Sequence, residues 1–285
     1  MAANYKAELV GVLGYPVAEN PTCVMQEAAF AALGLNWRYL TMEVKPKDLP
    51  DAIRGVRALG MKGINLTIPH KVAVIPLLND IDTDAQIIGA VNTVYRQGDR
   101  LIGANTDGKG FLRGLREAQI EPKGKRVVVL GAGGAARAIT FELAFAGASG
   151  LTIVNRSEER GQQLTTALRE NTTTAVQFIP WSGTYVVPPD ADVLVNATSI
   201  GLYPDVEMMP HISLDQTRPD LFVCDVIPNP PDTRLMQLAR SRGLRTLNGL
   251  SMLVHQGTIG FELWTGQTAP EEVMKEALRK AFEVS

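Results

Sequence analysis

The chain has 285 residues, and its 28 lysines and arginines against 30 aspartates and glutamates give a formal net charge of −2. At roughly 100 to 200 residues per domain, this length predicts two domains, each large enough to bury a core without disulfides or metals. The nearly balanced charge excludes a nucleic-acid-binding protein held by a basic face.

Strands and helices alternate from the start of the chain. Strands are predicted over 10–13, 37–44, 63–67, 90–95 and 101–105, with a hairpin turn at 97–99, and helices over 25–33, 47–59 and 108–118. Such alternation is typical of an α/β fold with a mostly parallel sheet and helices on both faces.

A second alternation follows the polar break at 122–125, which is one candidate domain boundary. Strands are predicted over 126–130, 151–154, 176–179, 193–196, 221–226 and 245–247, and helices over 135–146, 158–170 and 233–242. Two last helices, over 250–264 and 270–283, fit either domain.

The apolar stretch near the start, residues 9–18, is shorter than the ~20 residues of a membrane-spanning helix and lacks the basic lead of a signal peptide. Cys23 and Cys224 form no Cys-x-x-Cys pair, and the three histidines have no metal-binding spacing. We therefore expect a cytoplasmic protein without a membrane partner, a disulfide or a metal.

A glycine-rich turn joins the first strand and helix of the second alternation. Gly131-Ala-Gly133-Gly134-Ala135-Ala136 has the pattern Gly-x-Gly-x-x-Ala. Gly131 permits a tight turn, Gly133 lets the backbone approach a pyrophosphate, and the helix N-terminus offers unpaired N–H groups. The strand, turn and helix together predict a dinucleotide site.

The end of the next strand favours NADP over NAD. An NAD site usually places Asp or Glu here, where it accepts from the ribose 2′-OH. This strand ends in Asn155-Arg156-Ser157, with Arg160 one helical turn later. A guanidinium matches a 2′-phosphate in charge and geometry, which predicts NADP. Glu158 and Glu159 leave NAD as the alternative.

Lys71 and Asp107 are the candidate catalytic residues. Oxidation of an alcohol needs a group that takes the hydroxyl proton while a hydride leaves for the nicotinamide. A lysine can serve as that base, and a carboxylate can orient it.

Seven motifs along the chain point to one family. They are Lys62-Gly-Ile-Asn65-Leu-Thr67-Ile-Pro69-His-Lys71, Gly89-Ala-Val-Asn92-Thr93, Asn105-Thr106-Asp107-Gly108, Gly131-Ala-Gly133-Gly134-Ala135, Asn155-Arg156, Asn196-Ala-Thr198-Ser199-Ile-Gly201 and Asn248-Gly249-Leu-Ser-Met252-Leu253-Val-His-Gln256. In this order they resemble the shikimate dehydrogenases and cover nearly the whole chain.

The resemblance implies an N-terminal α/β substrate domain of residues 1–107 plus 249–285, a Rossmann-type NADP-binding domain of residues 108–248, and a C-terminal helix that returns to the first domain. It implies reversible oxidation of a ring hydroxyl of shikimate, quinate or a related cyclic polyol acid, in a monomer or homodimer. A catalytically weak nucleotide-binding regulatory protein and a dehydrogenase of a different cyclitol are the alternatives.

The resemblance also assigns roles to residues. Lys71 exchanges the alcohol proton, and Asp107 orients it and bonds a ring hydroxyl. The expected substrate contacts are Asn20, Thr22, Asn65, Thr67, Asn92 and Gln256. The expected cofactor contacts are Gly131, Gly133, Gly134, Ala135, Asn155, Arg156, Arg160, Asn196, Thr198, Ser199 and Met252.

Two places depart from the family pattern. Its opening motif, Gly-x-Pro-x-x-His-Ser-x-Ser-Pro, has two serines for the substrate carboxylate, where this chain has Asn20 and Thr22. Glu19 replaces the histidine, and Pro228 replaces a tyrosine that reaches the substrate. We expect the chemistry to be kept while the substrate becomes quinate or another cyclic polyol acid; the simpler alternative is a shikimate dehydrogenase with compensating contacts.

Overall fold

The computed structural model describes residues 5–282. These residues form two compact units, one of residues 5–106 with 254–282 and the other of residues 107–253. Each unit contains a six-stranded sheet with helices, so the predicted α/β fold class is confirmed. The boundary expected at 122–125 is wrong, because the helix that precedes it packs against the helix of the glycine-rich turn within the second unit.

The first unit begins with alternating strands and helices. Its elements are β1 (Glu8–Gly14), α1 (Thr22–Ala32), β2 (Trp37–Glu43), α2 (Leu49–Ala58), β3 (Gly63–Leu66), α3 (His70–Ala73), β4 (Asp80–Ile81), α4 (Thr83–Ile88), β5 (Thr93–Gln97) and β6 (Arg100–Ala104). The strand order is β2-β1-β3-β5-β6-β4.

The sheet of the first unit is mixed. β1 pairs in parallel with β2 and β3, whereas β5 is antiparallel to β3 and β6. The predicted hairpin between β5 and β6 is confirmed, and it turns at Gly98, whose φ of 61° favours glycine. Ile53 and Val56 of α2 are three residues apart and share a core with Ile64 and Val94 of the sheet.

The second unit carries a fully parallel sheet. Its elements are α5 (Asp107–Glu117), β7 (Arg126–Leu130), α6 (Gly134–Phe145), β8 (Gly150–Asn155), α7 (Glu158–Asn171), β9 (Ala175–Pro180), β10 (Tyr185–Val186), β11 (Val193–Asn196), β12 (Ile212–Ser213), β13 (Phe222–Asp225), α8 (Arg234–Ser241) and β14 (Arg245–Leu247). The main sheet has the order β14-β13-β11-β7-β8-β9, and β10 pairs with β12 separately. This is a Rossmann-type sheet, and its strand order reverses between β7 and β11, where ligands bind in such folds.

Two helices close the chain, α9 (Gly249–Thr265) and α10 (Glu271–Phe282). The division between the units falls inside α9, after Leu253, and α10 packs against α1 of the first unit. The predicted last helix reaches Glu283, which lies outside the described residues. Among the helices of residues 5–282, none is long and apolar enough to cross a membrane.

Candidate active site

The glycine-rich turn leaves β7 at the reversal of strand order. Gly131 has φ 108°, and an ideal Cβ there would lie 2.9 Å from the carbonyl oxygen of Ala197. Its N–H bonds the carbonyl of Val154 at 2.8 Å. Only glycine is compatible with this positive φ and with the close approach of the Ala197 carbonyl, which lies directly after β11.

Gly133 precedes the first turn of α6 and has a different environment. An ideal Cβ on Gly133 would meet no heavy atom within 4 Å, so the space in front of the helix is open. Gly134 and Ala135 are the first two residues of α6. An open approach to the N–H groups of a helix start suits a pyrophosphate, and the geometry therefore fits a dinucleotide.

The residues after β8 leave two cationic side chains exposed. Asn155 is fixed by a bond from its Nδ2 to the carbonyl of Ser157 at 2.8 Å, and Ser157 caps α7 by accepting from the N–H of Arg160 at 3.3 Å. The guanidiniums of Arg156 and Arg160 have no carboxylate partner among residues 5–282. Both can therefore meet the 2′-phosphate that distinguishes NADP from NAD.

Asn196 organises the loop that follows β11. Its Oδ1 accepts from the hydroxyl of Thr198 at 2.7 Å and from the Thr198 N–H at 3.2 Å. The Thr198 hydroxyl in turn accepts from the N–H of Ile200 at 3.1 Å, so three hydrogen bonds constrain the loop. Ser199 is exposed next to it, and Met252 is buried on α9.

A buried carboxylate that the sequence analysis did not single out supports this loop. Asp225, at the end of β13, accepts from Asn196 at 3.1 Å, from the Thr233 hydroxyl at 2.7 Å and from the N–H of Ile227 at 3.1 Å. Burial raises its pKa to about 6, although these hydrogen bonds act in the opposite direction. The sequence does contain a signal for Asp225. It is an acidic residue at the end of a buried strand, and the neighbouring strand ends in a candidate site residue, Asn196.

In the first unit, buried polar side chains meet where β3, β5 and β6 lie side by side. Asn92 accepts from the N–H of Thr106 at 2.7 Å, and its Nδ2 donates to the Thr106 hydroxyl at 2.9 Å and to Oε1 of Gln256 at 3.4 Å. Asn65 donates to the Thr93 hydroxyl at 3.0 Å and to the Asn92 carbonyl at 3.2 Å. Three of the expected substrate contacts, Asn65, Asn92 and Gln256, thus belong to one network.

Tyr39 extends this network toward α1. Its hydroxyl donates to Oδ1 of Asn65 at 2.7 Å. Burial raises the pKa of Tyr39 well above its usual range. Asn20 lies at the start of α1, where its Oδ1 accepts from the N–H of Thr22 at 3.0 Å.

The two candidate catalytic residues lie at element ends. Lys71 is half-buried on the short helix α3 directly after β3, and its carbonyl accepts from the N–H of Val91 at 2.8 Å, which ties α3 to the segment before β5. Asp107 is buried as the first residue of α5, where the helix dipole stabilises a carboxylate. Thr67 is half-buried between β3 and α3, outside the polar network.

Three family models match the chain in sequence order. They are the shikimate dehydrogenase substrate binding domain over residues 12–94, shikimate / quinate 5-dehydrogenase over 115–238, and the shikimate 5′-dehydrogenase C-terminal domain over 249–279. The chain belongs to the shikimate dehydrogenase family. The resemblance seen in the seven motifs is confirmed, and the chain is an oxidoreductase of this family.

The relatives of this family member are similar over their full length. A protein of Moorella thermoacetica named shikimate dehydrogenase (NADP(+)) is 46% identical over 97% of this chain and 94% of its own. A solved shikimate dehydrogenase in complex with NADP+ is 38% identical, with a TM-score of 0.90 and coverage of 99% and 98%. The ligand-free 5-ketofructose reductase of Gluconobacter sp. is 45% identical, with a TM-score of 0.89 and coverage of 98% and 100%.

Proposed function

We propose that this chain is an NADP-dependent dehydrogenase that reversibly oxidises a ring hydroxyl of shikimate, quinate or a related cyclic polyol acid. The observation that carries the proposal is the buried network of Asn65, Asn92 and Gln256, since these are the family's polyol-binding positions. The relatives named shikimate dehydrogenase (NADP(+)) support the same activity and the same cofactor.

The proposed roles follow from the chemistry of each side chain. When bound, NADP+ would accept the hydride from the carbon that bears the reacting hydroxyl. Lys71 accepts the proton of that hydroxyl during oxidation and returns it during reduction. Asp107, at the start of α5, accepts a hydrogen bond from a neighbouring hydroxyl and holds the ring in position.

The second unit offers the residues that would hold the cofactor. The open space at Gly133 admits the pyrophosphate to the start of α6. Arg156 and Arg160 meet the 2′-phosphate, and Asn155 lies beside them. Thr198, Ser199 and Met252 contact the nicotinamide half, with Asn196 fixing the loop.

Initial rates test this proposal. Shikimate and quinate are each offered with NADP+ and with NAD+, and the appearance of the reduced cofactor is followed by absorbance. Turnover of either acid with NADP+ supports the proposal. Dinucleotide binding without turnover of any polyol would instead support the regulatory alternative.

A second candidate function is the reduction of a neutral keto sugar. The supporting observations are the 45% identity to a 5-ketofructose reductase and the replacement of both carboxylate-binding serines by Asn20 and Thr22. The roles of Lys71 and Asp107 are the same, because a ketone and a secondary alcohol again exchange a hydride and a proton. Consumption of NADPH with 5-ketofructose is the measurement that distinguishes this candidate.

A further inference from the structure

A fully buried threonine hydroxyl lies inside the polar network of the first unit. Thr93 is 0% exposed and begins β5, where it pairs in register with Asn65 of the antiparallel strand β3. Paired residues of antiparallel strands place their side chains on the same face of the sheet, and Nδ2 of Asn65 donates to the Thr93 hydroxyl at 3.0 Å. Thr93 belongs to one of the seven motifs, yet no role is assigned to it.

The proton of the Thr93 hydroxyl has one acceptor. Among residues 5–282 the hydroxyl has two hydrogen-bond partners, Nδ2 of Asn65 and Oγ1 of Thr106, the second at 3.1 Å. Because Nδ2 of Asn65 is itself a donor, only Thr106 can accept, and buried polar groups are nearly always paired. Thr93 therefore donates to Thr106.

Thr106 extends this bond to two further side-chain amides. Its hydroxyl oxygen accepts from Thr93 and from Nδ2 of Asn92 at 2.9 Å, which occupies both lone pairs. Its own proton lies near two acceptors, Oδ1 of Asn92 at 3.3 Å and Oε1 of Gln256 at 3.4 Å. The oxygen ends of both amides thus face the Thr106 hydroxyl, so the amide nitrogen of Gln256 is turned away from it.

Asn65 has only a lone pair left for a ligand. Its two amide protons go to the Thr93 hydroxyl and to the Asn92 carbonyl at 3.2 Å, and Oδ1 already accepts from Tyr39 at 2.7 Å. The second lone pair of Oδ1 is what remains, and it suits a hydroxyl that donates. Without the Thr93 hydroxyl, one amide proton of Asn65 would lose its acceptor and the amide would no longer be held in this orientation.

We infer that Thr93 is a positioning residue for the polyol substrate. Its hydroxyl holds Asn65 directly and, through Thr106, the other two amides of the network, so that it sets which end of each amide meets the substrate. Since Thr93 is fully buried, it acts through these amides. The inference rests on the proposed dehydrogenase function and adds a residue that the function does not use.

Thr93→Val tests the inference, because valine keeps the branched shape and replaces the hydroxyl by a methyl group. The probe is whichever of shikimate, quinate and 5-ketofructose the unmodified protein converts with the highest kcat/KM. We expect KM for this probe to rise about tenfold and kcat to change less, as the loss of one well-placed hydrogen bond predicts. NADP+ affinity should stay the same, because the glycine-rich turn belongs to the other unit.

Two further variants separate positioning from a general loss of stability. Thr93→Ser keeps the hydroxyl and should keep KM near that of the unmodified protein. If Thr93 acts through Asn65, then Thr93→Val should change kcat/KM by less than about threefold once Asn65 is already alanine. Thr93→Ala removes the same hydroxyl and serves in both measurements if the valine variant does not fold.

Thr140→Val is the matched control. Thr140 is also 0% exposed, and its hydroxyl donates to the carbonyl of Ala136 at 2.8 Å within α6, outside the network. Its KM for the probe should be unchanged. An unchanged KM without the Thr93 hydroxyl, an equal rise in Thr93→Ser, or independent effects at Thr93 and Asn65 overturns the inference and leaves the proposed function intact. Turnover of none of the three probes by the unmodified protein overturns both.

Discussion

Asn196 donates from Nδ2 to Oδ1 of Asp225 at 3.1 Å, which joins the carboxyl ends of two neighbouring parallel strands through their side chains. Both residues are buried, at 0% and 2% exposure, so the bond is shielded from water. The Asp225 carboxylate also accepts from Thr233 at the start of α8. One buried acid therefore holds the loop that carries Thr198.

The pH dependence of the free energy of unfolding should reveal the titration of Asp225. Its pKa is raised from 3.8 to about 6 by burial, so between these pH values the folded protein keeps a proton that the unfolded chain has lost. The contribution of Asp225 to the free energy of unfolding therefore falls as pH rises through this window, by about 3 kcal/mol in total. Asp225→Asn has no such loss, so its free energy of unfolding relative to that of the unmodified protein should rise by most of that amount from pH 4 to pH 7.

Urea unfolding at several pH values measures this difference. Asp232→Asn is the control, because Asp232 is an exposed carboxylate paired with Arg240 on the surface. Surface ion pairs contribute little, so that variant should show no comparable trend. A flat difference for Asp225→Asn would show that the buried carboxyl does not titrate in this window.

Alanine substitutions at two glycines of the same turn should have different effects on stability and on cofactor binding. Gly131→Ala should lose about 1–3 kcal/mol of stability, because the new Cβ meets the Ala197 carbonyl at 2.9 Å in a strained backbone conformation. Gly133→Ala should keep its stability, since the Cβ meets nothing, but should bind NADP+ at least tenfold more weakly, because the methyl group occupies the approach of the pyrophosphate. Thermal unfolding and titration calorimetry separate the effects. Equal NADP+ affinity in Gly133→Ala would contradict the assigned pyrophosphate position.

Arg156→Ala should change cofactor preference. Loss of a guanidinium opposite a phosphate removes a charge-assisted hydrogen bond, about 1.5–3 kcal/mol, so KM for NADPH should rise tenfold or more while KM for NADH stays the same. Arg242→Ala is the control, since that arginine pairs with Asp215 on the surface at 2.7 Å. If the KM values for NADPH and NADH rise equally, Arg156 does not bind the 2′-phosphate.

Lys71→Met should abolish most turnover. Removal of a proton-transfer group typically costs about 100-fold or more in kcat. NADP+ affinity should be unchanged, because the glycine-rich turn belongs to the other unit. Lys62→Met, at a partly exposed lysine 3.7 Å from Glu8, is the matched control and should retain activity. Turnover at the unmodified rate in a folded Lys71→Met protein would refute the proposed role.

The sequence predicted long, periodic elements well and short ones poorly. The helix expected over 135–146 is Gly134–Phe145, whereas α3, β4 and α4 were not predicted, because two to six residues do not make a periodic pattern. The strand expected from residue 90 starts at Thr93. Ala90 and Val91 are apolar and were therefore assigned to the strand. They lie outside it because the N–H of Val91 bonds the carbonyl of Lys71 on α3, a residue distant in sequence.

Motif order was sufficient to predict the family and its candidate residues, but not the hydrogen bonds among them. Tyr39 carries no motif, and it reaches Asn65 across β1, since β2 and β3 lie on opposite sides of that strand. Asp225 belongs to no motif either, and in the sequence it only precedes Pro228, where the chain departs from the family. Both contacts depend on strand neighbours in the sheet, which residue spacing does not encode.

The hydrogen bonds of Asn65 make its side chain energetically dependent on that of Tyr39. Asn65 donates to the Asn92 carbonyl and the Thr93 hydroxyl, which fixes its amide with Oδ1 toward the Tyr39 phenol. Effects at Tyr39 and Asn65 should therefore not add, and the double variant should differ from the sum of the single ones by about 0.5–3 kcal/mol. Evolution of a new specificity at Asn65 then requires coordinated rather than independent changes.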